Sequence, residues 1–136
     1  MRNYKELGVW QKALDLTTEV YRMTRHFPDE EKFGVTSQFR RAAVSIPANI
    51  AEGRGRGTTK EYVQFLLISR GSLMELESHG IIASRLGYLS DDESAKLKMR
   101  VEEIGRMLNG LVQSARGRKT DSRSLIPDPQ SQITTY

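Results

Sequence analysis

The sequence predicts an all-α domain, an antiparallel up-down-up-down four-helix bundle, and three observations carry that expectation. Four segments repeat apolar residues at alternating steps of four and three, two of them open on a Ser/Thr-x-x-Glu capping box, and no segment alternates polar and apolar residues like a half-buried strand. Short connections between long helices then make each helix the antiparallel neighbour of the next. One domain is expected over 1–116, with residues 117–136 as a disordered tail.

The first helix is predicted from near Tyr4 to just before Pro28, which cannot continue a helix easily. Val9, Ala13, Leu16, Val20, Met23 and Phe27 form one seam, and Leu7, Trp10, Leu14 and Tyr21 form a second beside it. That face is wider than one helix pair needs. After the turn at Pro28–Lys32, a second helix runs from about Gly34 to Glu52, burying Val35, Phe39, Ala42, Ile46 and Ile50. Pro47 inside it removes one backbone donor, so a kink is expected there. The run Gly53-Arg-Gly-Arg-Gly57 ends it.

Thr58 and Glu61 make the capping box that opens helix three, whose seam is Tyr62, Leu66, Ser69, Leu73, Leu76, Gly80 and Ala83. Gly87 suits the left-handed position just past its end. Ser90 and Glu93 open helix four, with Leu97, Val101, Ile104, Leu108, Leu111 and Ala115 as its seam. Beyond Arg116 the chain is polar, contains Pro127 and Pro129, and lacks a periodic face.

Little catalytic chemistry is available. The chain has no cysteine and two histidines, His26 and His79. Thiolate metal sites are therefore excluded, and the composition suits a cytoplasmic setting. No signal peptide or membrane span is read in the sequence. Glu75 and His79 lie one helical turn apart, but a carboxylate-bridged metal bundle needs several more such groups. Ser45, Ser69 and Ser72 have no His–Asp arrangement to activate them. No catalytic residue, metal or cofactor is expected.

The polar residues have an organisation of their own. Gln38, Arg41, Ser45, Asn49 and Glu52 share one face of helix two, and Ser72 and Glu75 of helix three answer them. One reading is a buried or interfacial network in which Arg41 or Arg40 pairs with Glu75. The other is the solvent face of an amphipathic helix. Charge is also segregated. In the expected topology, windows 1–6, 52–61 and 116–123 share a pole with nine basic and four acidic residues. Windows 23–36 and 84–96, at the other pole, hold four basic and six acidic residues. The Gly53–Lys60 stretch lacks the spacing of a phosphate-binding P-loop. Its arginines, together with the start of helix three, can still receive a backbone phosphate, or they can simply form a solvated turn. Arg40, Arg41, Arg54, Arg56, Lys60, Arg116, Arg118 and Lys119 are the candidate nucleic-acid contacts.

Several stretches carry a family resemblance. They are Leu7-Gly-Val-Trp-Gln-Lys-Ala13, Phe27-Pro28, Gln38-Phe-Arg-Arg-Ala-Ala-Val-Ser-Ile46, Asn49-Ile-Ala-Glu-Gly53, Glu61-Tyr-Val-Gln-Phe-Leu66, Gly71-Ser72 with Glu75-Leu76, and Leu86-Gly-Tyr88. Over residues 4–112 the chain resembles the four-helix-bundle proteins encoded in intervening sequences of bacterial 23S ribosomal RNA genes. It is also similar to the accessory variability proteins of diversity-generating retroelements. The resemblance implies a homo-oligomeric ring, typically a pentamer, with a basic surface suited to RNA or DNA and no catalytic residues. For the retroelement members it further implies a reverse transcriptase partner. The expected function is thus non-enzymatic, homo-oligomeric nucleic-acid binding. The alternative is an accessory subunit that docks a protein partner through an exposed apolar patch around Trp10 or Tyr62.

Overall fold

In the computed structural model, which describes residues 3–123 and side chains through Gly117, four helices follow one another. They are α1 (Gly8–Thr24), α2 (Val35–Arg54), α3 (Thr59–Arg85) and α4 (Asp91–Arg123), with 3₁₀ turns at Tyr4–Glu6 and Asp29–Glu31. The contacts between helices fix their directions, because in every adjacent pair one residue number rises as its partner's falls. Thr17 and Thr24 of α1 meet Ala43 and Arg40 of α2, and Ser69 and Ser72 of α3 meet Ile46 and Ser45. Arg70 and Ser84 of α3 meet Asn109 and Ser94 of α4. Lys12 and Glu19 close the ring of helices onto Glu103 and Lys96. All four neighbours are antiparallel, as expected.

The caps act where the sequence placed them. Ser90 and Glu93 bond reciprocally: Ser90 N–H donates to Glu93 Oε1 (2.9 Å) and Glu93 N–H to Ser90 Oγ (3.1 Å). Glu61 N–H donates to Thr58 Oγ1 (3.1 Å), although here the Glu61 carboxylate accepts from the Thr58 hydroxyl. α3 ends with Tyr88 N–H on Ala83 O and Gly87 N–H on Ser84 O, and Gly87 takes φ +81°. That paired geometry requires a left-handed residue, which glycine adopts without a Cβ clash.

The predicted seams form the core. Leu16, Val20, Phe39, Ile46, Ile50, Leu66, Leu76 and Leu108 are fully buried, each contributing about 1.5–3 kcal/mol by leaving water. Three details differ from the sequence reading. The first α-helix starts at Gly8, because the chain spends Tyr4–Glu6 in a 3₁₀ turn capped by Asn3. In α4, Val112 is buried and Leu111 only half-buried. A straight helix of 3.6 residues per turn drifts away from a strict seven-residue repeat by about 20° per heptad. The helix expected to stop at Arg116 continues as helical backbone to Arg123. No proline interrupts that stretch, and cationic residues such as Arg118, Lys119 and Arg123 favour a helix C-terminus. Residues 124–136, the rest of the tail expected to be disordered, lie outside the described residues.

α2 runs through Pro47 without leaving the α-helical state. Pro47 has no N–H for Ala43 O, the carbonyl one turn before it. Thr17 Oγ1 of α1 lies 3.1 Å from that oxygen and 2.8 Å from Ala13 O, so a neighbouring helix offers the missing donor. Thr17→Val keeps the side-chain shape and removes the donor. It should lower the unfolding free energy in urea by about 1–2 kcal/mol, the cost of an unsatisfied buried carbonyl. Unchanged stability would mean that Ala43 O is served elsewhere.

The turns at the acidic pole are tied together. Glu31 Oε2 accepts from Tyr88 Oη (2.9 Å) and Glu31 Oε1 from Val35 N–H (3.2 Å), so one carboxylate caps α2 and anchors the α3–α4 turn. The hydrogen bond to Glu31, with burial and the nearby acidic charge, raises the Tyr88 pKa above the ordinary phenol value. A raised pKa means the fold prefers the neutral phenol. The stability it lends is present below the ordinary value and lost as pH rises through the raised one.

Candidate nucleic-acid interface

The basic pole is assembled from the Tyr4–Glu6 turn, the α2–α3 connection and the end of α4. Its centre is ordered. Gly55 N–H donates to Ala51 O and Glu52 O, and Arg56 N–H to Gly53 O, so the helix winds down through the glycine run. Only Gly57 there takes positive φ. Gly53 lets α2 press against the first turns of α3. A Cβ at Gly53 would stand 2.6 Å from Phe65 Cβ and 3.3 Å from Tyr62 O.

That close approach decides where the arginines go. The Arg54 guanidinium lies over the Tyr62 ring at 5.2 Å and the Arg56 guanidinium over Phe65 at 5.3 Å. Arg56 is also held between two carboxylates, with Nη1 3.2 Å from Glu52 Oε2 and Nε 3.2 Å from Glu61 Oε2. Both guanidinium groups of the turn therefore rest on aromatic rings. Such cation–π contacts contribute about 0.5–1 kcal/mol each at exposed sites. Glu52 and Glu61 locally balance the charge of Arg56.

The other predicted contacts separate. Lys60 and Lys5 are exposed and make no ion pair among the described residues. Arg116 is half-buried and engaged with neighbours. Arg118 and Lys119 continue α4 at the same pole, with side chains outside the described set. Arg41 is exposed on the outer face of α2. Arg40 does not belong to the pole. Its Nε donates to Thr24 Oγ1 (2.7 Å) and its guanidinium covers the Tyr21 ring at 4.6 Å, which locks α2 to the end of α1.

Of the polar stripe, three members meet. Ser45 Oγ and Ser72 Oγ are 2.7 Å apart, and Asn49 Nδ2 donates to Ser45 O (2.8 Å) and Ser45 Oγ (3.0 Å). This chain of bonds sits half-buried along the α2–α3 seam. Gln38 and Arg41 face solvent and Glu52 serves Arg56. The expected pairing of Arg40 or Arg41 with Glu75 does not form, because Arg40 turns to α1 and Glu75 faces His79 (3.3 Å) on its own helix. Nor is there an exposed patch at Tyr62 or Trp10. Tyr62 is buried, and Trp10 packs edge-on against Tyr4. Exposed apolar side chains on the helix flanks include Leu14, Val44, Ile68, Met74 and Ile81, and Phe33 stands exposed in the α1–α2 connection. Sequence spacing missed the aromatic platforms, although Tyr62 and Phe65, three apart in the first turns after the arginine run, were the available signal.

No group of three or more acidic or histidine side chains able to hold a metal occurs among the described residues. No helix among them is long and apolar enough to cross a membrane. Fold and site together define a helical-bundle protein with its charge segregated end to end. The pattern of the 23S rRNA-intervening sequence proteins matches residues 5–110, and the chain belongs to that family. Neither that match nor the structural one points to a family of enzymes. A similar solved structure is the 1.70 Å crystal structure of a protein of unknown function from the S23 ribosomal protein family of Bacteroides thetaiotaomicron VPI-5482. It is 22% identical with a TM-score of 0.71 and covers 76% of this chain and 97% of that one. At that identity the likeness concerns the fold. No curated protein matches the sequence.

Proposed function

We propose that this chain is a non-enzymatic, homo-oligomeric protein of the cytoplasm that binds RNA or DNA through its basic pole, by charge and shape with little base readout. The observation that carries the reading is Lys60. A lysine in the first turn of a helix opposes the macrodipole, which favours acidic residues there. Lys60 is exposed, makes no ion pair among the described residues, and stands beside the arginine-bearing turn at the pole with the basic excess. Helix stability does not call for a cation at that position, whereas a phosphate does. RNA is the first partner to test, since the family is named for 23S rRNA.

Binding of single- and double-stranded RNA and DNA should be titrated across a salt series. The expected result is affinity that falls linearly with salt on logarithmic axes and varies little with sequence. Absent or salt-insensitive binding would overturn the reading in favour of an accessory subunit that docks a protein such as a reverse transcriptase.

Self-association belongs to the same proposal, the pentamer being what the resemblance implies. Half of the second seam of α1 stays exposed, at Leu14 and Tyr21, and Val44 and Ile68 are exposed beside the half-buried Ser45–Ser72 pair. Sedimentation at micromolar concentration should give a species several times the 15.5 kDa chain. A clean monomer would exclude the ring.

A further inference from the structure

A groove of about 410 Å³ runs between α3 and α4, on the side of the molecule away from the polar seam. Its floor is apolar: Gly80, Leu97 and Val101. Gly80 lets the two helices close on this floor, because the Leu97 side chain packs directly on the glycine and would collide with a Cβ there. At one end Ser94 Oγ donates to Ser84 Oγ (2.9 Å), which satisfies both helices locally. The rim is charged. Arg85 of α3 and Lys98 of α4 stand on opposite walls, with Glu77 as the single acid among the lining residues. Neither Arg85 nor Lys98 makes an ion pair or hydrogen bond among the described residues. Ile81 is half exposed on the groove wall.

We propose that this groove binds a small amphipathic anion, of the class of a medium-chain carboxylate, independently of the basic pole. The volume falls within the range of about 300–1,000 Å³ typical of small-molecule sites, which combine apolar walls with a few polar groups. The tail lies on Gly80, Ile81, Leu97 and Val101. The carboxylate meets Arg85 and Lys98, the two cations of the rim, which make no ion pair among the described residues. Charge complementarity selects an anionic head over a cationic one, because the rim carries two positive groups against one negative.

Equilibrium dialysis of the full chain against radiolabelled decanoate tests this. Saturable binding of one molecule per chain is expected. Lengthening the probe from octanoate to decanoate should tighten binding roughly fourfold for each methylene buried. Arg85→Gln with Lys98→Gln should weaken decanoate about tenfold, two partly exposed ion pairs each supplying up to a factor of about five. Ile81→Gln should weaken it too, and Phe33→Gln, exposed in the α1–α2 connection outside the groove, should leave it unchanged. Decyltrimethylammonium, with a comparable tail and a cationic head, should not compete. The proposal is overturned by any of three results: no saturable binding, equal affinity in the Arg85/Lys98 variant, or competition by the cation. It also falls if those substitutions change the sedimenting species, because the groove's occupant is then a second copy of the chain.

Discussion

Gly53→Ala should destabilise the protein by about 2 kcal/mol, even though alanine is the better helix former by about 1 kcal/mol. The new methyl would stand 2.6 Å from Phe65 Cβ and 3.3 Å from the Tyr62 carbonyl oxygen. Both atoms are on or next to the α3 backbone, so no rotamer change relieves the overlap. α2 and α3 must separate, and the Ser69–Ile46 and Ser45–Ser72 bonds between them must lengthen. Gly80→Ala should cost less, because its obstacle is the flexible end of Leu97. Gly71→Ala and Gly110→Ala, where nothing lies within 4 Å of the added methyl, should each gain about 0.5–1 kcal/mol from propensity alone. Urea unfolding of the four variants reads the whole order. A Gly53→Ala protein as stable as the parent would mean that the helices do not approach as closely as the structure has them. The same substitution should disturb the basic pole, since the close approach at Gly53 brings Arg54 and Arg56 onto Tyr62 and Phe65.

Two single substitutions at the pole should move nucleic-acid affinity in opposite directions. Lys60→Glu should weaken binding roughly tenfold at low salt. For each phosphate that is no longer neutralised, the salt dependence should also become shallower by about 0.9 log units per log unit for duplex DNA, or about 0.7 for single strands. Because an acid in the first turn of α3 suits the helix dipole, the fold should be no less stable, so weaker binding cannot be ascribed to unfolding. Glu52→Gln should do the reverse. It releases Arg56 from one of its two carboxylates and removes an acid from the last turn of α2, where the dipole disfavours it. Binding should tighten and the slope steepen. Replacing Asp29 and Glu30 by the amides, at the other pole, is the matched control and should leave affinity within about a factor of two, since charges beyond a Debye length of about 8 Å are screened. If Lys60→Glu and Glu52→Gln both bind like the parent, the basic pole is a solvated end and the docking reading takes its place.

The contrast between Lys60 and Arg40 shows what a single sequence conveys about such a surface. Both are basic residues within a family signature or beside a cap, and the sequence marks both as phosphate contacts. Lys60 sits at a position fixed by a local signal, the Thr58–Glu61 capping box, so its place at a helix start is read directly. The fate of Arg40 depends on which residue of α1 lies opposite it. Thr24 is distant in sequence, and no spacing within α2 names it.

The same division runs through the molecule. The four helices, their caps and almost every core position follow from the sequence alone, because helical period and capping chemistry act within a few residues of chain. The antiparallel order follows from short connections in the same way. The tertiary structure alone decided that Thr17 would serve the carbonyl orphaned by Pro47, and that Ser45 would meet Ser72. It also set Arg56 between Glu52 and Glu61. Those pairings depend on the register and rotation of one helix against another. The buried side chains of all four helices determine both together, so no single helical repeat encodes them.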